Sequence, residues 1–280
     1  MTLGQVLEEG EERLRAVGIP DTALEAALIL EEAAGIRRAE VLAGPEREIS
    51  AQEQERFEEL LSRREAHEPF ALIAGRQEFM GLSFAVRKGV LIPRQDTETL
   101  VEETMLLMHD GMRILDLCTG SGCVALSLLH YSNDTTAVAT DISEEAIRLA
   151  QDNAEALGLK ERITFRKTDL WPAEEPGERF DLITANPPYI ASDVIETLAA
   201  EVREYDPRAA LDGGQDGLSF YRRITAEAGR YLFSDGWLVC EIGYDQGDAV
   251  CSIFEDAGFR HTEIIRDLGG NDRVVKGCWY

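Results

Sequence analysis

Ile114-Leu115-Asp116-Leu117-Cys118-Thr119-Gly120-Ser121-Gly122 is an apolar run that breaks into a glycine-spaced turn, and the helix-patterned stretch Cys123–His130 follows it directly. A strand, a tight turn and a helix in that order open a βα unit. Glycine lets the backbone turn sharply and approach a ligand with no Cβ in the way. The carboxyl end of a strand in an open α/β sheet is also where such proteins bind small molecules. Asp116 adds a negative charge at that edge, suited to an amino group or a sulfonium.

The pattern continues on both sides. Strands are expected at Arg113–Cys118, Thr136–Thr140, Arg162–Lys167, Phe180–Ala185, Gly236–Ile242, Phe259–Ile265 and Arg273–Trp279. Helical periods fall between most of them, at Cys123–His130, Glu144–Leu157, Gly217–Tyr231 and Gln246–Ala257. This alternation implies an α/β fold with a mostly parallel sheet covered on both faces. Asp267–Asp272 is too short for a helical crossover, so the last two strands are expected to pair antiparallel. An open, Rossmann-like sheet of seven strands that ends in an antiparallel hairpin resembles the class I S-adenosylmethionine-dependent methyltransferases.

The turn also limits the ligand. A dinucleotide fold sets a pyrophosphate on a helix amino end with three spaced glycines. Here only Gly120 and Gly122 are present, with Val124-Ala125 where the third would fall, which favours a ligand without a pyrophosphate. The second strand ends in Asp141, roughly 20 residues past the turn, the spacing of a ribose-binding carboxylate. After the third strand, Asp169 is placed to meet an adenine amino group and Trp171 to pack on its ring. The structural alternative is that Trp171 covers the sheet edge while Asp169 caps a turn before Pro172.

The fourth strand ends in Asn186-Pro187-Pro188-Tyr189. Adjacent prolines fix the backbone and remove two donors, leaving carbonyl oxygens around Asn186 and Pro187 as acceptors. With the Asn186 amide oxygen they can hold an –NH2 group by both hydrogens, and Tyr189 offers a flat face to a planar group. A planar amide or aromatic amine is a poor nucleophile. Convergent acceptors orient it and stabilise the positive charge that develops on nitrogen, with no catalytic histidine required.

Residues 1–75 read as helices alone, with Leu3, Val6, Leu7, Leu14 and Val17, then Leu24, Ala27, Leu28 and Leu30, then Phe57, Leu60 and Leu61 at helical spacing. Residues 76–92 carry Gly81 and Gly89 between short β-prone runs and read as a hairpin linker, followed by the main domain at 93–280. The charge of −25 on 280 residues opposes nucleic-acid phosphates unless bases gather on one face. Arg37/Arg38 and Arg63/Arg64 sit among glutamates and read as solvated helix faces. No apolar run approaches the ~20 residues of a membrane span, and the amino terminus carries acids where a signal peptide has bases, so a cytoplasmic location is expected. Five cysteines without a CxxC pair and four scattered histidines suggest neither a full disulfide set nor a metal site.

The chain resembles the peptide chain release factor glutamine N5-methyltransferase family (PrmC/HemK). The resemblance rests on Asn186-Pro187-Pro188-Tyr189, on Glu78-Phe79-Met80-Gly81-Leu82-Ser83-Phe84, and on Leu91-Ile92-Pro93-Arg94-Gln95-Asp96-Thr97-Glu98. Downstream it continues through Ala210–Gly217, Glu241-Ile242-Gly243 and Asp267–Val275. It implies that Cys118, Thr119, Gly120, Ser121, Gly122, Asp141, Asp169, Trp171 and Asn186 contact S-adenosylmethionine. Asn186, Pro187, Pro188 and Tyr189 would hold the substrate, with Asn186, Pro187 and Tyr189 catalytic. The implied substrate is the glutamine of the Gly-Gly-Gln motif in class 1 release factors, gripped by the helical part of a monomeric enzyme. Departures are Gln95, where the family has proline, and Cys118, where it has glycine. Arg94 is expected either to anchor a loop over the cofactor or to pair with Asp96, and Glu241 either to brace the active-site loop or to be purely structural. The rival readings are an N6-adenine nucleic-acid methyltransferase and a non-catalytic scaffold of the same fold.

Overall fold

The computed structural model describes residues 1–172 and 178–280. Contacts divide the chain into two units, Met1–Gly75 with Ala200–Tyr205, and Arg76–Ala199 with Asp206–Tyr280. The return of a six-residue segment from the second half to the helical unit has no signature in the sequence.

The helical unit contains α1 (Leu3–Ala16), α2 (Thr22–Ala34), α3 (Arg38–Ala43), α4 (Ala51–Glu65) and α5 (Phe70–Ala74). Capping boxes start α1 at Thr2/Gln5 and α4 at Ser50/Glu53, satisfying amide donors that a helix end leaves open. Leu3, Val6, Leu14, Ile29, Leu30, Phe57, Leu60 and Leu61 form its core. Gly10 lets α1 close on its neighbours, because a Cβ there would meet Phe57 Cζ at 2.9 Å and Ala26 Cβ at 3.3 Å.

Arg64 departs from the expected solvated face. It continues the inward row of Phe57, Leu60 and Leu61 on α4 and is only 2% exposed. Its guanidinium bonds Glu25 at 3.0 Å and Glu201 at 2.6 Å. Arg63, one position round the helix, pairs with Glu68 near the surface. The helical period puts position 64 inside, and two carboxylates make its burial tolerable.

In the second unit β1 (Arg76–Phe79) and β2 (Leu82–Ala85) make an antiparallel hairpin. Met80 and Gly81 turn it with φ of 51° and 70°, the left-handed pair that matches the strand twist. Phe79 and Phe84 are buried in the core of this unit, so the hairpin packs with the second unit where a linker was expected. A 3-10 turn, Gln95–Thr97, leads into α6 (Glu98–Met105).

The main sheet contains β3 (Arg113–Leu117), β4 (Thr136–Asp141), β5 (Ile163–Lys167), β6 (Phe180–Ala185), β7 (Leu232–Glu241), β8 (Arg260–Arg266) and β9 (Asp272–Trp279). Its order is β5-β4-β3-β6-β7-β9-β8, parallel through β7, with β9 antiparallel to both neighbours. Along each strand, neighbouring residues face opposite cores. Ile114, Leu182, Val239 and Val274 face one, and Leu115, Ile183, Leu238 and Val275 face the other. The covering helices include α7 (Cys123–His130), α8 (Glu144–Ala156), α11 (Ser219–Tyr231) and α12 (Gly247–Asp256), all at expected places. Two short helices, α9 (Ala200–Tyr205) and α10 (Arg208–Leu211), were not anticipated, being too short to carry a readable period.

β7 begins at Leu232, four residues before the expected start at Gly236. Leu232 pairs with Phe180 and Trp237 with Leu182, so the strand carries a bulge, with Asp235 at a φ of 66°. Ser234-Asp235-Gly236, at the expected strand start, forms that bulge. No helix among the described residues is long and apolar enough to cross a membrane.

Truncating Arg64 leaves two carboxylates facing a hydrophobic core. Arg64→Ala should lower the unfolding free energy of the helical unit by about 2–3 kcal/mol, the loss for a buried pair reduced because the carboxylates keep some solvent. Urea titration followed by helical circular dichroism measures it; an unchanged midpoint would mean the pair contributes nothing.

Candidate active site

The strand order reverses between β3 and β6. β3 continues outward to β4 and β5, while β6 continues the other way, and the crevice left at their carboxyl ends is where ligands bind in such sheets. The glycine turn leaves β3 there and Asn186-Pro187-Pro188-Tyr189 leaves β6. A cavity of about 420 Å3 occupies this place, within the usual range for a small-molecule site.

Asp116 joins the two halves. Its Oδ2 accepts from the Thr119 hydroxyl at 2.6 Å in the turn, and its Oδ1 accepts from Thr184 at 2.7 Å on β6. It is 1% exposed, and burial pushes its carboxyl up to about 6. The charge expected to face a ligand is thus largely committed to bracing the site, although Asp116 does line the cavity.

The turn is built from residues at positive φ: Cys118 at 57°, Gly120 at 56° and Gly122 at 82°. A Cβ on Gly122 would press on Leu126 and Ala150 at 3.0 and 3.1 Å, so the turn sits directly against α7 and α8. At Gly120 a Cβ would meet nothing within 4 Å. Asn153 on α8 donates to the Ser121 carbonyl at 2.9 Å and accepts from the Ala85 amide at 2.8 Å, locking the turn to the hairpin. Cys118 takes a backbone conformation that costs a non-glycine residue of order 1–3 kcal/mol, the physical reason for glycine there.

Asp141 accepts from the Gly120 amide at 2.9 Å and, by its other oxygen, from the Ser143 amide at 2.8 Å. Each oxygen keeps acceptor capacity for a ligand hydroxyl. Burial raises its carboxyl above the usual range. Asp169 reaches the cavity but pairs with Arg223 at 2.9 Å, and Arg223 lies over the Phe220 ring at 5.5 Å. Trp171 does not line the cavity. Its ring stacks on Tyr231 with centroids 4.6 Å apart, the sheet-covering alternative, and its Nε1 is buried with no described partner.

Asn186 and Pro188 line the cavity; Pro187, Tyr189 and Gly122 do not. Asn186 Nδ2 donates to the Thr97 hydroxyl at 3.2 Å, which leaves Oδ1 as its acceptor end. No described residue donates to the Asn186 or Pro187 carbonyl. The Tyr189 face expected to stack on a substrate is largely enclosed. Its hydroxyl donates to Glu241 Oε1 at 3.2 Å, and its carbonyl accepts from Gln246 at 2.9 Å. Burial pushes the Glu241 carboxyl up to about 7, while Thr97, Arg273 and Tyr189 pull it back toward the ionised form.

The Ala210–Gly217 segment buttresses the chain leaving this motif. The Ile190 amide donates to the Leu211 carbonyl at 2.9 Å, and the Gly213 amide donates to the Ile190 carbonyl at 2.8 Å. A Cβ on Gly217 would meet the Tyr189 oxygen at 2.4 Å, so only glycine permits the approach. Arg94 bonds the buried Asp206 at 2.5 Å, while Asp96, the partner expected for it, pairs with Arg273 at 3.1 Å. Arg94 lines the cavity beside Thr97, Phe220 and Arg223, cavity residues for which sequence reasoning assigned no such role. The Arg94–Glu98 stretch already stood out as a motif, whereas nothing in α11 marked Phe220 or Arg223.

Two family models match, the PrmC N-terminal domain over residues 5–75 and the methyltransferase small domain over residues 95–205. The release factor glutamine methyltransferase of Agrobacterium fabrum is 39% identical over 280 residues, covering 98% of this chain and 96% of that protein. Its namesake from Moorella thermoacetica is 42% identical over 276 residues, covering 98% and 97%. The chain belongs to the release factor glutamine methyltransferase family. At the level of fold alone, a methyltransferase from Pyrococcus furiosus superposes with a TM-score of 0.53 at 16% identity, covering 71% of this chain and 89% of that one. Cys118, at a φ of 57°, takes the left-handed conformation that glycine adopts most readily.

The Asp116 clamp has a pH signature. Its folded-state pKa, about 6, lies above the ordinary 3.8, so the fold favours the protonated acid. Stability therefore falls as pH rises through this window. Asp116→Asn lacks this titration, so the wild type should lose roughly 2–3 kcal/mol relative to the variant between about pH 4 and pH 7. Denaturation midpoints of both proteins across that range measure the difference; a constant gap would show that Asp116 does not titrate there.

Proposed function

We propose that this chain transfers the methyl group of S-adenosylmethionine to the side-chain amide nitrogen (N5) of the glutamine in the Gly-Gly-Gln motif of class 1 peptide chain release factors. The observation that carries the reading is Asn186, at the end of β6 on the cavity wall, held by its donor end so that its acceptor end is available. Similarity to release factor glutamine methyltransferases along nearly the whole chain supports the substrate.

The residues present fit the cofactor. Gly120 opens toward free space, Ser121 has a buried hydroxyl without a described partner, and Asp141 keeps acceptor capacity at the cavity edge. Cys118, Thr119, Gly120, Ser121, Asp141, Asp169 and Asn186 would hold it from the cavity wall. Gly122 supports the turn from behind, and Trp171 acts through the sheet edge. When bound, S-adenosylmethionine would supply an electrophilic methyl group on a sulfonium, the S–CH3 bond breaking as the N–CH3 bond forms, with S-adenosylhomocysteine as leaving group and one proton lost from the amide nitrogen.

The protein's own part is to orient the amide. The Asn186 amide oxygen, on the cavity wall, accepts a hydrogen of the glutamine –NH2 as charge on nitrogen develops; Pro187, expected to supply the second acceptor, lies outside the cavity lining and serves by fixing the backbone beside Asn186. Pro188 forms the wall beside them, and Tyr189 stiffens the motif through Glu241. The helical unit, matched by the PrmC N-terminal domain, serves as the grip on the release factor. A net charge of −25 disfavours the nucleic-acid reading, and the same proposal has the enzyme act as a monomer in the cytoplasm.

Asn186→Ala removes the oriented acceptor. We expect kcat on unmethylated release factor to fall about 100- to 1000-fold, the cost of losing one preorganised transition-state contact. Calorimetry should find the affinity for S-adenosylmethionine changed only a few-fold, since binding rests mainly on the turn. Unaltered kcat would remove Asn186 from the mechanism.

A further inference from the structure

Glu241 stands behind the site with a question of hydrogen-bond bookkeeping attached. It ends β7, is 2% exposed and does not line the cavity. Its Oε1 accepts from Tyr189, while Oε2 is buried with no direct hydrogen-bond partner among the described residues. Thr97 presents the complementary need. Its hydroxyl, also 2% exposed, accepts from Asn186 Nδ2, which leaves its proton for Glu241. The Thr97 hydroxyl is also the strongest influence drawing Glu241 toward its ionised form. A buried acceptor thus adjoins a buried donor.

We infer that Glu241 and Thr97 are positioning residues that decide which end of the Asn186 amide faces the cavity. An amide can be turned end for end with little change in shape, and a hydroxyl can serve it equally well as donor or acceptor. Thr97 alone would therefore bond either end of Asn186. Thr97, Arg273 and Tyr189 draw Glu241 toward its ionised form against the effect of burial, and in that form the carboxylate only accepts and claims the Thr97 proton. Thr97 can then only accept from Asn186, which must offer Nδ2 and turn Oδ1 toward the substrate –NH2. The opposite orientation would set an –NH2 against an –NH2. Tyr189 donates to the same carboxylate, so both ends of the motif take their polarity from one buried charge.

The inference rests on the proposed amide substrate. Its test compares wild type, Glu241→Gln, Thr97→Val and Thr97→Ser for methyl transfer to unmethylated release factor, with thermal midpoint and S-adenosylmethionine affinity measured alongside. Glu241→Gln keeps the shape but can donate, and Thr97→Val keeps the shape but does neither. Both should lose about 10- to 100-fold in kcat, the scale of a misoriented reacting group. Cofactor affinity should stay within about twofold and Thr97→Ser should retain turnover. The double variant should lose little more than either single one, because both break the same chain. Wild-type kcat in either single variant, or losses that follow the thermal midpoint or cofactor affinity, would overturn the inference. A wild type that leaves the release factor unlabelled would defeat the substrate reading and this inference with it.

Discussion

A single buried carboxylate, Asp116, links the two loops on which the site depends. It lies on β3 beside Thr184 of β6, at the place where the sheet changes direction. One oxygen holds the glycine turn through Thr119 and the other holds β6 through Thr184. The two chain segments meant to carry cofactor and substrate are therefore registered to each other by hydrogen bonds shorter than 3 Å from a side chain that is almost fully buried. The fold opens a crevice at this point by topology, and Asp116 fixes its width.

The elements that surround the crevice are arranged to keep polar groups directed. Asp141 spends its two oxygens on the amides of Gly120 and Ser143, so the cofactor turn is shaped from the side as well as from below. Gln246 and the glycines of Ala210–Gly217 hold the Tyr189 backbone. Glu241, Thr97 and Tyr189 form a second buried polar group behind Asn186. A planar amide is a weak nucleophile, and a site that must orient it benefits more from rigid acceptors than from a strong base. The investment of this sequence in buried acids and hydroxyls around one asparagine is consistent with that demand.

Much of this was readable before the fold. The β3 turn, Asp141 and the end of β6 each combine an apolar strand with residues that have a physical reason to sit at its carboxyl end, and all reach one cavity. The alternating pattern located the sheet because its central strands are buried on both faces, while helices such as α8, α11 and α12 bury one face. Local pattern failed where tertiary context decides. Trp171 follows a strand end as an adenine-stacking residue would, but Tyr231 from a distant helix takes its ring face. Arg64 looked solvated by its charged neighbours, while its period with Phe57 and Leu60 placed it inside. Ser234-Asp235-Gly236 has the composition of a turn and is a bulge within β7. Thr97 could not be singled out because its role exists only once Asn186 and Glu241 approach it from elsewhere in the chain.

The account's central claim is that the acceptors at the end of β6 serve a protein amide. It is tested most directly by incubating the enzyme with labelled S-adenosylmethionine and unmethylated release factor, alongside a release factor whose Gly-Gly-Gln glutamine is replaced by alanine, and unmethylated duplex DNA. Label on the wild-type release factor alone is the predicted result. Equal label on the alanine form, or label on the DNA, would contradict it.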